Sequence, residues 1–153
     1  QALERTYRYV VGLRPWCASP FHRPWCWPLG GSGGPPPAID RTLLDRAAGE
    51  VVGEHSFEAF AKAGQPERGT RCHVRSAVWS DTDLGVRFTI TADRYLHHMV
   101  RYLTGTMIDI ARGRRPIEDM ARLLVSPTEL TTSPPAPPEG LFLHRVTYPG
   151  DLI

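Results

Sequence analysis

Cys17, His22 and Cys26 fall within ten residues, His73 follows Cys72, and His97 adjoins His98, so metal binding is the first chemistry to weigh. The spacing does not support it. No CxxC pair occurs, Trp16, Phe21, Trp25 and Trp27 make the first cluster read as an apolar anchor, and neighbouring helical histidines point about a quarter-turn apart where chelation wants i, i+4. No serine stands in a strand-to-helix nucleophile elbow, and no cysteine lies beside a histidine and an acid in a hydrolase-like context. A phosphate cradle is excluded too, because the glycines from Gly30 to Gly34 run into Pro35, Pro36 and Pro37, which carry no N–H donors. What remains is a stripe. His97, Arg101, Thr104, Gly105 and Ile108 recur at i, i+4, i+7, i+8 and i+11, a flank of polar and small residues that something approaches closely.

The elements that would position these residues are legible in outline. Arg5 to Val11 reads as a strand, followed by a proline- and aromatic-rich stretch too irregular for secondary structure and then a Gly/Pro-rich surface loop over residues 29–37. A first helix is expected from Asp40, as N-cap, to Gly53, with Leu43, Leu44, Ala47, Ala48, Val51 and Val52 at helical spacing. Ser56 is a second N-cap candidate, before a short element ending at Phe60 and a polar loop around Gly64, Pro66 and Gly69. Arg71 to Trp79 and Leu84 to Ala92 read as an antiparallel hairpin turning at Asp81-Thr82-Asp83. Asp93 would cap a long helix from Arg94 to Ala111, with Leu96, Met99, Val100, Leu103, Met107 and Ile110 on its core side. A third helix follows Pro116, a proline-rich loop spans Ser133 to Pro138, and a last strand runs from Leu141 to Tyr148. The plan is α+β, with a mainly antiparallel sheet and helices packed on one face.

Composition bounds the rest. The 153 residues suit one domain with one core, and 41% hydrophobic with 22% charged residues excludes wholesale disorder and a fibrous repeat. The net charge of +2 does not by itself argue for nucleic acid, yet Lys62 is the only lysine among eighteen cations, and the arginines suit carboxylate and phosphate bidentately. Three irregularly spaced cysteines fit a reducing, cytoplasmic setting, and no apolar stretch approaches a membrane span. The chain opens on Gln1 and goes almost directly into a strand, which suggests a missing upstream part.

One segment narrows the function. Ala92-Asp93-Arg94-Tyr95-Leu96-His97-His98-Met99-Val100-Arg101, followed by Thr104-Gly105-Thr106-Met107, closely resembles the A-N-x-F-L-H-H-M-V-R … V-G helix of the TruA family of tRNA pseudouridine synthases. Arg5-Thr6-Tyr7-Arg8-Tyr9 is similar to that family's R-x-Y-x-Y strand, and Gly53-Glu54-His55-Ser56-Phe57-Glu58-Ala59-Phe60 to its G-E-H-D-F-x-x-F turn. Glu139-Gly140-Leu141-Phe142-Leu143 with Val146-Thr147-Tyr148-Pro149 resembles its closing E-G-L-Y-L-x-x-V-x-Y-P strand. Asp93 and Arg94 depart from the usual Asn and small residue, so RNA contacts there would differ.

The resemblance implies the C-terminal half of a pseudouridine synthase fold, acting on uridines of the tRNA anticodon stem-loop, usually as a homodimer and without a cofactor or metal. The family's catalytic Asp, in R-T-D-A-G-V, belongs to an N-terminal half not matched here. Thr82-Asp83-Leu84-Gly85-Val86 is similar in letters only; it lacks the preceding Arg, follows the R-x-Y-x-Y strand and falls in a hairpin turn. By carry-over, Arg101 orients the absent Asp, Tyr7 stacks on the extruded uracil and Leu141 packs on the other side of the pocket. Arg5, Arg8, Arg14, His97, His98, Arg112, Arg114 and Arg115 are candidate RNA contacts. The flank bearing His97, Arg101, Thr104 and Gly105 is expected to be open, since it would face the N-terminal half. The competing reading is a non-catalytic RNA-binding or dimerisation domain on the same fold.

Overall fold

Alternation of side chains over the first residues demands a strand with one buried face, and β1 (Glu4–Gly12) supplies it. In the computed structural model, which describes residues 3–30, 35–62 and 69–152, Tyr9 and Val11 of this strand are fully buried and Tyr7 is half-buried on the same face. The chain then makes two 3-10 turns, and β2 (Trp27–Pro28) returns parallel to the end of β1. Trp27 packs against the core, but Trp16, Phe21 and Trp25 are 53%, 84% and 58% exposed, so Trp27 alone serves as the expected aromatic anchor. The small thiols hold the rest of the segment. Cys17 and Cys26 are buried against Gly12, where an added Cβ would lie 2.7 Å from the Cys17 Cβ and 3.1 Å from the Cys26 Sγ. Part of the loop expected over residues 29–37, residues 31–34, lies outside the described residues, as do Gly64 and Pro66 of the later polar loop.

Asp40 caps α1 (Arg41–Val51), its carboxylate accepting the Leu43 N–H at 3.2 Å, and Leu44, Ala47, Ala48 and Val51 form the buried stripe. Val52, expected in that stripe, is exposed, and Gly53 starts the next strand at φ 112°, a conformation that favours glycine. Ser56 is not a helix cap: it ends β3 (Gly53–Ser56), and its hydroxyl bonds that of Thr70 at 2.7 Å. β3 pairs with β4 (Arg71–Asp81), which pairs with β5 (Gly85–Ala92), which in turn pairs with β1, all antiparallel. The hairpin turn is closed by reciprocal backbone bonds between Thr82 and Gly85. A bulge at Arg75 shifts the phase of β4, so the buried residues run Cys72, Val74 and then Ala77, Trp79.

The long helix is five residues shorter than its periodicity suggests: α2 is Met99–Ala111. Tertiary bonds override the local signal at its start. The Asp93 carboxylate accepts the His73 N–H at 2.8 Å and so does not cap, and the Tyr95 hydroxyl bridges the carbonyls of Arg5 and Ile90 at 2.7 and 3.0 Å. These bonds hold residues 93–96 across the ends of three strands. The helix begins only after His98, whose φ of 64° is left-handed. α3 (Glu118–Leu123) buries Met120 and Leu123; α1 and α2 pack on the sheet and α3 packs against α1. An extended proline-rich segment leads to β6 (Leu141–Thr147), antiparallel to the other edge of β1, with a bulge at His144 that breaks the simple alternation expected there. The fold is the α+β plan, with the short parallel pair β1–β2 in an otherwise antiparallel sheet.

Candidate active site

At one end of the sheet a cleft of about 400 Å³ opens where β1, β6 and the approach to α2 meet, lined among others by Arg5, Tyr7, Tyr95, His97, His98 and Leu141. Strand alternation explains the sheet's share. Arg5 and Tyr7 lie on the helix-bearing face, and Leu141 enters opposite Tyr9 on β6, diagonal to Tyr7. Tyr95 supports Tyr7 edge to face, with ring centroids 4.9 Å apart and planes at 84°, while its hydroxyl bridges β1 and β5. Burial pushes the Tyr95 hydroxyl's pKa up and keeps it a donor. Tyr95 was missed as a supporting residue in the sequence because the helical reading of residues 94–97 gave it no cross-strand neighbour.

The two histidines reach the cleft by the turn that replaces the expected helical start. Their rings come within 4.0 Å of each other, which the left-handed backbone at His98 permits and consecutive helical positions would not. Desolvation, followed by the neighbouring His97, Arg101 and Lys62, holds the His98 pKa below the usual imidazole value.

Arg101 follows Met99 and Val100, which line the cleft, but does not line it itself. It is half-buried, its Nε donates to the Ala136 carbonyl at 2.7 Å, and its own carbonyl accepts the Ala136 N–H at 2.9 Å. Among the described residues no carboxylate lies within salt-bridge distance of it. The expectation that this whole flank is open is overturned. Thr104 and Gly105 are buried under the chain's own segment Ser133–Pro137, and a Cβ on Gly105 would stand 2.2 Å from the Pro134 carbonyl oxygen. The close approach that the small residues predicted is therefore intramolecular.

The other sequence candidates scatter. Arg5 is exposed at the cleft, while Arg8 points to the opposite, helix-free face of the sheet, and Arg14 is exposed at the far end of β1. Arg112 and Arg114 lie beyond the C-terminal end of α2, about 20 Å along the helix from the cleft. Arg114 is exposed and 3.8 Å from the Asp109 carboxylate. Arg115 is not a free cation: its Nε bonds Asp119 at 2.9 Å, and its terminal nitrogens donate to the Ser133 hydroxyl at 3.1 Å and the Thr131 carbonyl at 2.9 Å. Asp83 is exposed in the β4–β5 turn, at the opposite end of β5 from the residues that pair with Arg5 and Tyr7. His22 bonds the Ser19 hydroxyl at 3.0 Å, and among the described residues no group of three or more His, Cys, Asp or Glu is arranged to hold a metal ion.

Comparison with known proteins gives this geometry a family. The family model described as tRNA pseudouridine synthase matches residues 47–149. The chain is 36% identical over 155 residues to tRNA pseudouridine synthase A of Paraburkholderia xenovorans, an alignment covering 97% of this chain and 52% of that protein. It is 34% identical to the enzyme of the same name from Burkholderia mallei, over 98% of this chain and 53% of the relative, and 33% identical to that of Solidesulfovibrio magneticus, over 96% and 53%. The chain thus spans about half the length of the curated relatives it matches. With a match over most of its residues, and with three of its four family-like segments contributing residues to one cleft, the chain belongs to the tRNA pseudouridine synthase family.

Proposed function

We propose that this chain is the C-terminal half of an enzyme that isomerises uridines of the tRNA anticodon stem-loop to pseudouridine, with the catalytic carboxylate supplied by an N-terminal half. The observation that carries the reading is the cleft, which joins Tyr7 from the first strand, Leu141 from the last and the His97-His98 turn at the head of α2. The reaction breaks the N–glycosidic bond of uridine, turns the base and rejoins it through carbon. It is a net isomerisation, so what it asks of protein is a carboxylate and a pocket for an unstacked base. Tyr7 offers an aromatic face and Leu141 an apolar wall. Arg101 is available to an incoming carboxylate, since its only hydrogen bond from the side chain among the described residues is the one from Nε. Docking of tRNA would draw on exposed Arg5, Arg14 and Arg114, and a homodimer would complete the assembly.

The test restores the N-terminal half and compares Arg101→Ala with wild type under single-turnover conditions. Turnover is expected to fall about 10²- to 10³-fold, the cost of removing one preorganised charged group, while the tRNA dissociation constant changes only a few-fold. Arg101→Lys should recover little, because an ammonium cannot reproduce the planar fork. A loss of affinity alone would make Arg101 an ordinary phosphate clamp and overturn the assignment. The present chain by itself should form no pseudouridine; turnover surviving Asp83→Ala would show that the carboxylate lies within it.

A further inference from the structure

The segment Ser133–Pro137 lies on α2 as a strap, and its contacts run along the helix from Thr106 to Arg101. Ser133 N–H donates to the Thr106 hydroxyl at 3.2 Å, the Pro134 carbonyl rests on Gly105 where no side chain would fit, and Ala136 bonds Arg101 twice, accepting from Nε and donating to the backbone carbonyl. Past Ala136, the Pro137 carbonyl accepts the Tyr9 hydroxyl, and Gly140 packs on the Tyr9 ring immediately before Leu141. At the other end Arg115 staples the strap to α3. It reaches Ser133 and Thr131 with its terminal nitrogens while Nε is fixed by Asp119, and the side chains of this ion pair are only 15% and 9% exposed. Prolines at 134, 135 and 137 stiffen the strap by fixing φ, and the flanking bonds fix where it runs.

A guanidinium is planar, so a hydrogen bond from Nε to a fixed carbonyl also sets the direction of both terminal nitrogens. We propose that the strap is the orienting frame of Arg101, presenting its terminal nitrogens end-on to a carboxylate, and that Arg115 and Gly105 are positioning residues acting through it. The proposal rests on the reading of Arg101 given above. It removes Arg115 from the RNA-contacting set, since each of its three nitrogens is already bonded within the chain and the side chain is only 15% exposed.

Two measurements separate this proposal from the functional reading. In the chain itself, hydrogen exchange of the Arg101 Nε–H, followed by NMR, should be slow, and Arg115→Ala should speed it about tenfold or more while amides of the β1–β5 pair keep their protection. With the N-terminal half restored, Arg115→Ala should lower kcat about ten- to a hundredfold, as small misplacements of reacting groups do, with KM and the salt dependence of tRNA binding unchanged. Gly105→Ala should act in the same direction, by lifting the Pro134 carbonyl. Should Arg115→Ala fail to fold, Ser133→Ala, which removes one staple bond, is read on the same two scales for a smaller change of the same sign. Unchanged Nε–H exchange, or a variant that loses affinity and about one unit of salt slope with kcat intact, overturns the frame. If wild type forms no pseudouridine while the Nε–H still responds to Arg115→Ala, the frame stands and the functional reading falls.

Discussion

Arg101, Tyr7 and Leu141 stand in motifs that carry their residue types but not what each side chain touches. Spacing placed Arg101 one turn beyond His97, but Ala136, thirty-five residues downstream, is the group that holds it. Nor could the letters show that His98 takes a left-handed backbone, because a favourable helical pattern covered it. That residue supports a prediction with a definite sign. Its folded pKa is depressed, so the unfolded chain takes up a proton there first, and the stabilising contribution present above pH about 6.5 is lost as the pH falls toward the folded pKa. Urea titrations from pH 7.5 to 5.5 should show a decline that His98→Gln lessens. The thiols give a second. Burial pushes Cys26 and Cys72 up to about 11, and Cys17 is fully buried, so an aromatic disulfide reagent at pH 8 should label none of the three until denaturant is added. Fast labelling of the native chain would show that the Cys17–Cys26 turn opens.

Elements were legible where local signals agree with packing and were misread where a distant contact intervened. α1 is the agreeing case, with the Asp40 cap and most of the buried stripe as the sequence implied, though Val52 falls outside it. It therefore yields clean numbers: Asp40→Ala should cost about 1 kcal/mol through the lost cap, and Gly49→Ala, on the exposed side with nothing within 4 Å of an added Cβ, should stabilise by about 0.5–1 kcal/mol. Thermal unfolding of both variants checks the pair. The start of α2 is the opposite case, for Asp93 and Tyr95 carry helix-compatible letters but spend their side chains on β4, β1 and β5. The β4 bulge left a trace that could have been read: buried apolar residues at 72, 74, 77 and 79 change phase once, and only an extra residue at Arg75 reconciles them.

At the scale of the whole molecule, the sheet has two faces of different character. One carries α1, α2 and the core; the other presents Arg8 and Arg87 diagonally across β1 and β5, with each Nε shielded from solvent and without a partner among the described residues. Desolvation, then Arg87, lowers the Arg8 pKa, so the two charges oppose each other across the strands. Arg87→Gln should accordingly stabilise the chain by about 0.2–1 kcal/mol at low salt, with the gain shrinking as salt screens the repulsion. A loss of stability instead would mean that the pair is compensated. Alternation and hairpin signals foretold the α+β plan, whereas the order of strands could not be foretold, because β1 pairs with β5, β6 and β2 across separations no local pattern encodes. That pairing has a consequence for the cleft. Tyr7 comes from the first strand, the histidine turn from the middle of the chain and Leu141 from the last strand in sequence, paired with β1. No single hairpin or helix pair retains the cleft, so it exists only in the cooperatively folded state. By linkage, whatever fills it adds its binding free energy to the folding of the entire chain.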